Sequence, residues 1–149
     1  MKRFVFALAA VMISATMFAQ TKVAVAAKKA EEVVKFKEMT FDFGKIKQNV
    51  TVSHDFVFSN VGGKPVVIES ATASCGCTTP VWPQGPVAKG KSDKISAGFT
   101  APNVGTFTKD ITVKIAGIDT PTVIKITGEV LSPADYAKYE QTKGSKKSK

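Results

Sequence analysis

Histidine occurs once in this 149-residue chain, tryptophan once and cysteine twice. A single histidine, with no motif around any serine, gives no basis for a Ser/His/Asp catalytic group, and the carboxylates are scattered singly along the strands. Two cysteines plus His54 fall short of the four ligands that structural zinc takes. Acid is scarce as well, with 12 Asp and Glu against 21 Lys and Arg. Alternation of strands with long helical stretches is absent, which argues against a parallel α/β sheet. Beyond the first twenty positions no apolar run is long enough to span a bilayer.

What is present begins with an address. Lys2-Arg3 is followed by Phe4 to Phe18, an apolar run interrupted only by Ser14 and Thr16, and then by Ala19-Gln20. This is the layout of a secretory signal peptide over 1–19, too short for a comfortable membrane span. The expected destination is the periplasm or the cell exterior, where thiols tend to be oxidised. With no cysteine near the cleavage point, lipid attachment there is excluded. About 130 residues remain, enough for one domain with a core. The formal charge of +9 falls to +7 without Lys2 and Arg3, and much of that lies in the tail at Lys138, Lys143, Lys146, Lys147 and Lys149. A near-neutral body with an export signal argues against a nucleic-acid partner.

Residues 20–32, rich in Ala, Lys and Val, read as a linker with some helical tendency. From Val33 the pattern takes a period of two. Val33–Phe36 and Thr40–Phe43 form short strand pieces ended by Gly44. Val50, Val52, His54, Phe56 and Phe58 share one face of the clearest strand. Asn60 to Pro65 is a turn, with glycines placed for positive φ, and Pro65–Ala73 is a further strand. The proline-dense segment Thr79–Pro86 suits an edge or loop. Ile95, Ala97 and Phe99 alternate with polar or small residues, as do Phe107, Ile111, Val113 and Ile115, then Ile124, Ile126 and Val130. About seven strands with turns roughly every ten residues predict an antiparallel, immunoglobulin-like β-sandwich over 33–131. Ser132-Pro133-Ala134-Asp135 predicts a short helix through Tyr139, with a basic, disordered tail after Gln141.

Three motifs occur in order: Phe41-x-Phe43-Gly44, Val52-x-His54-x-Phe56-x-Phe58-x-Asn60-x-Gly62, and Ser74-Cys75-Gly76-Cys77-Thr78-x-Pro80-x-Trp82-Pro83. Lys89-Gly90-Lys91-Ser92, Phe107-x-Lys109-x-Ile111-x-Val113 and Ile124-x-Ile126-x-Gly128-x-Val130 follow. Together they resemble the bacterial domain-of-unknown-function family 1573, common in secreted proteins of Bacteroidota, over about Val33 to Val130. The resemblance implies an immunoglobulin-like fold akin to modules of chaperone-like and ciliary scaffold proteins, export, and a biochemical role still to be assigned. The chain departs from the family at Lys89, where proline is more usual, and at Ala116-Gly117, where an asparagine-containing turn is more usual.

Cys75 and Cys77 are the most informative pair. Residues i and i+2 of an extended strand lie roughly 6.5 Å apart at Cα, so a disulfide between them needs a bend, which Gly76 permits. So short a loop stabilises by only about 1–2 kcal/mol through the unfolded chain. Three readings stand: a local disulfide or packed thiols with a structural role, a redox-active pair, or ligands for a soft metal such as copper(I). His54 on the Val/Phe face reads as a core or rim residue. Trp82 is either a partner contact or a plug over the sandwich end near the cysteines. The expected function is that of an exported, non-enzymatic binding or scaffolding module without a cofactor, whose partner is an envelope protein or polymer. Its recognition surfaces would be a sheet edge or the Cys75–Trp82 loop, with envelope tethering by the lysine tail as a further idea. The alternative is thiol-redox or copper(I)-handling chemistry at Cys75 and Cys77.

Overall fold

The computed structural model describes residues 29–146; the expected signal peptide over 1–19, most of the expected linker and the last three tail residues lie outside them. After a 3-10 turn at Ala30–Glu32 come β1 (Val34–Phe36), β2 (Thr40–Lys47), β3 (Thr51–Asn60), β4 (Ile68–Ala73), β5 (Thr78–Val81), β6 (Ser92–Thr100), β7 (Gly105–Ile115), β8 (Thr122–Leu131) and helix α1 (Pro133–Lys146). The described strands form two four-stranded sheets, ordered β1-β3-β6-β5 and β2-β8-β7-β4. This is the immunoglobulin-like sandwich that the alternation predicts.

The inward parity of β3, β6, β7 and β8 makes the core. Phe56, Phe58, Ile95, Ala97, Ile111, Val113, Ile124 and Ile126 are fully buried between the sheets. Apolar burial at about 25 cal/mol per Å² is the main force holding the layers together. Val50, placed on this face by the sequence pattern, precedes β3 and is exposed.

Three features depart from the expected plan. The first is that β2 pairs with β8 in parallel, in a sandwich whose other ladders are antiparallel. The opening chain crosses between sheets, giving β1 to one and β2 to the other. Secondly, Gly44 does not end β2. Phe43 and Gly44 together stand opposite Gly128, and the register resumes at Lys45–Glu129. This is a bulge: Gly44 takes φ +63°, and its N–H donates to Asp42 Oδ1 at 2.9 Å, so the strand bends and continues. Thirdly, α1 runs past Gln141 to Lys146. Beyond Gln141 the chain reads Thr142-Lys143-Gly144-Ser145-Lys146, in which Thr, Gly and Ser give no helix signal; Thr142 Oγ1 donates back to Lys138 O at 2.9 Å along the helix.

The start of α1 is fixed by Ser132, whose Oγ accepts from Asp135 N at 3.1 Å and donates to Asp135 Oδ2 at 2.7 Å. The hydrogen bond from Ser132 and the nearby Lys138 hold the Asp135 carboxyl below its usual pKa. Ser132→Ala should therefore fray the helix at a cost of about 1 kcal/mol, read as reduced helical signal in far-ultraviolet circular dichroism with the sheet signal unchanged.

The Cys75–Cys77 turn and the sheet edges

The two cysteines sit on the crossing from β4 in one sheet to β5 in the other. Both ends of this crossing are pinned. Ser74 N donates to Asp110 O at 2.9 Å, and Asp110 N donates back to Ser74 Oγ at 3.3 Å, tying the turn to β7. Thr100 N donates to Cys77 O at 3.0 Å, tying its other end to β6. Cys75 and Cys77 are joined as a disulfide, with Cα atoms 5.4 Å apart. That separation is shorter than an extended strand gives, so the chain bends here. Gly76 does so without positive φ, and a Cβ there would meet nothing within 4 Å; the bend does not require glycine.

As a disulfide the pair presents no thiolate, so Cys75 and Cys77 are not in the form that binds copper(I) or zinc. Among the described residues no three His, Cys, Asp or Glu side chains gather around a common point. His54 lies on β3, separated from β5 by β6.

His54 is held at the sandwich rim. Its ring stacks on Phe41 of the opposite sheet with centroids 3.5 Å apart and packs edge-on to Phe56 at 4.9 Å. Its Nε2 lies 3.0 Å from Glu38 Oε1. Glu38 belongs to the short link between β1 and β2, and sequence reasoning missed it because the sheet switch that brings it there has no periodic signature.

Trp82 is partly buried against the core cluster. It follows β5, whose four residues lie in sequence between it and Cys77; its packing on the core suits a plug more than a free contact residue. On the outer face of β3 and β6, Asp55 accepts from Lys94 Nζ at 2.6 Å and from Ser96 Oγ. The Lys94 hydrogen bond, then that of Ser96, lowers the Asp55 pKa, and the same contact raises that of Lys94. This is an exposed surface pair worth little.

The two edges of the β1-β3-β6-β5 sheet differ. At β1, Val61 N donates to Val33 O and Lys37 N to Val57 O, both at 2.9 Å. Antiparallel alternation then turns the N–H and C=O of Val34 and Phe36 outward, away from β3. Partly buried Phe36 and exposed Met39 and Val57 flank this edge. At β5 the outward positions are Thr78 and Pro80. Pro80 has no N–H to offer, and the Thr78 N–H is taken by Cys75 O at 3.3 Å. Edge β5 is closed to a partner strand, whereas no strand among the described residues covers edge β1.

No helix among the described residues is long and apolar enough to cross a membrane. No curated protein matches the chain. Among solved structures, a protein of unknown function from Porphyromonas gingivalis W83 superposes with a TM-score of 0.58 at 19% identity, over 74% of this chain and 51% of that one. The chain thus spans about half of that protein. The PapD-like domain 7 of human CEP192 gives a TM-score of 0.55 at 10% identity, over 68% of this chain and 87% of that one. The secreted serine protease VesC of Vibrio cholerae gives 0.54 at 10% identity, over 68% of this chain but only 24% of its own. At these identities the likeness is one of fold, to PapD-like and immunoglobulin-like sandwiches. Residues 34–130, from the first strand to the end of the last, match the family described as "Protein of unknown function (DUF1573)", and the chain belongs to it.

Proposed function

We propose that this protein is an exported, non-catalytic binding module of the cell envelope that recognises a partner protein by accepting its extended strand along β1. The observation that carries this reading is the outward backbone of Val34 and Phe36, open at the edge and flanked by Phe36, Met39 and Val57. Main-chain pairing would supply affinity, and the apolar flanks would select alternate side chains of the incoming strand. The closed β5 edge leaves one binding direction on this sheet. Export is supported by the basic-then-apolar order of residues 2–18 and by membership of a family common in secreted proteins. A partly buried Trp82 is a weaker candidate contact than the β1 edge, and the lysine-rich tail serves at most as an accessory attraction to anionic polymers.

Photo-crosslinking in cells, with the reactive side chain at Lys35 or at Val81, tests the reading. Adducts with an envelope protein should form from position 35 and not from 81, and Phe36→Pro should remove them by deleting one outward N–H. Equal labelling from both positions, or none from 35, rejects strand addition. A mature chain that keeps residues 1–19 in the cytoplasmic fraction rejects export.

A further inference from the structure

We infer that Cys75–Cys77 is a thiol–disulfide exchange site in which the thiolate of a cysteine-containing peptide attacks Cys77 and Cys75 is the leaving group. The inference is independent of the β1 edge.

Three observations assign the roles. A cavity of about 190 Å³ opens beside the turn; its lining includes Cys77, Phe99, Phe107 and Val130 together with the polar Asn103 and Lys109, and Cys75 is outside it. An incoming sulfur therefore reaches Cys77 from the cavity. Lys109 occupies the inward-facing position between Phe107 and Ile111, where the strand pattern would place an apolar residue. It makes no ion pair among the described residues, so its charge is free to draw a thiolate inward. Lastly, Thr78 is buried, and its hydroxyl has one hydrogen-bond partner among the described residues, Cys75 Sγ at 3.6 Å. A hydroxyl so placed donates to Cys75 as negative charge develops there, and a better-stabilised leaving thiolate leaves faster.

The chemistry balances as an exchange. The partner thiolate forms a bond to Cys77 Sγ, the Cys75–Cys77 bond breaks, and Cys75 departs as a thiolate that takes a proton from solvent. A second thiol of the partner, as thiolate, then attacks the partner's sulfur in the mixed disulfide and releases Cys77. The partner gains a disulfide, and the pair accepts two electrons and becomes two thiols. The fold tolerates this because the turn is held without the disulfide, by the bonds to Asp110 and Thr100. The one-residue loop adds little on its own.

The test uses the full mature chain with its disulfide intact. Glutathione and a reduced apolar peptide carrying one cysteine are reacted separately, quenched with acid and alkylated, and the adduct is placed by fragment-ion mass spectrometry. The thiol should sit on Cys77 and the alkyl group on Cys75, with the peptide reacting faster than glutathione because Phe99, Phe107 and Val130 give it apolar contacts within a mixed lining. Thr78→Val should slow the reaction about tenfold, and Lys109→Met about threefold in a way that added salt erases. An adduct on Cys75 or divided equally overturns the assignment. So does Thr78→Val reacting at the wild-type rate while melting at the wild-type temperature. Glutathione outpacing the peptide overturns the choice of partner.

Discussion

Asn60→Ala should lower the melting temperature by roughly 15 °C, a loss of about 3 kcal/mol in a domain of this size. The residue is 1% exposed, and its side chain makes three bonds at once. Its Nδ2 donates to Lys64 O at 2.9 Å and to Val87 O at 2.8 Å, and its Oδ1 accepts from Gly62 N at 2.9 Å. Its backbone N–H donates to Lys91 O and its carbonyl accepts from Gly90 N, both at 2.9 Å. Truncation removes three hydrogen bonds at about 1 kcal/mol each; Val87 O keeps Val66 N at 2.9 Å and Gly62 N keeps Val33 O at 3.1 Å, so the loss is that of the bonds and not of fully orphaned groups. Asn60→Asp separates this loss from a simple cavity. The carboxylate keeps the acceptor for Gly62 but turns an oxygen toward two carbonyls, so burial and repulsion raise its folded pKa above the unfolded value of about 3.9. The variant should be most stable below pH of about 4 and lose stability as pH rises through the folded pKa. Melting curves that do not depend on pH in that direction would contradict the hydrogen-bond account.

Much of this fold is written in the alternation of side chains. Phe56, Phe58, Ile95, Ala97, Ile111 and Ile124 are inward by parity and buried in fact, because a half-buried strand repeats every two residues whatever it pairs with. Partner choice has no such signature. The parallel pairing of β2 with β8 and the transfer of the opening chain between sheets arise from long-range packing, so neither was readable from residues 33–47. The turn after β3 shows a finer limit. Gly62 and Gly63 do not take the positive φ assigned to them; the turn is held by the Asn60 side chain instead. A signal for this was present, since Asn60 continues the inward series 54, 56, 58 and precedes a glycine by two positions, the spacing of an Asx turn.

The candidate sites were legible to differing degrees. The cysteine pair was visible as a pair, but the groups that give its two sulfurs different roles lie far along the chain. Thr78 is adjacent, whereas Phe99, Phe107 and Lys109 come from β6 and β7. Lys109 was visible as a break in an apolar stripe. A lysine at an inward parity position is costly unless its amine reaches water or an anion, and at the open end of a sandwich it does so beside the cavity. The open β1 edge was anticipated only as an unspecified sheet edge, because hydrogen-bond direction depends on register.

Gly128→Val should cost about 3 kcal/mol and, with it, the accessibility of Cys77. Gly128 stands opposite the bulged pair Phe43 and Gly44, with φ +159°. A Cβ there would lie 2.8 Å from Gly44 O and 2.8 Å from ring atoms of Phe107. The carbonyl cannot retreat freely, since Gly44 is fixed at positive φ by the bulge and by Asp42 Oδ1. The ring therefore has to move, and its neighbours are Phe99, with centroids 4.3 Å apart, and the cavity beside Cys77. Displacement into that cavity fills the path to the sulfur, so exchange at Cys77 should slow although the disulfide and its turn are untouched. Combining Gly128→Ala with Phe107→Leu should be less destabilising than the sum of the two, because the smaller side chain removes the ring contacts. Thermal melts with glutathione exchange rates on the four variants and the wild type check this; strict additivity, or a wild-type exchange rate in Gly128→Val, would show that the ring does not couple the bulge to the cavity.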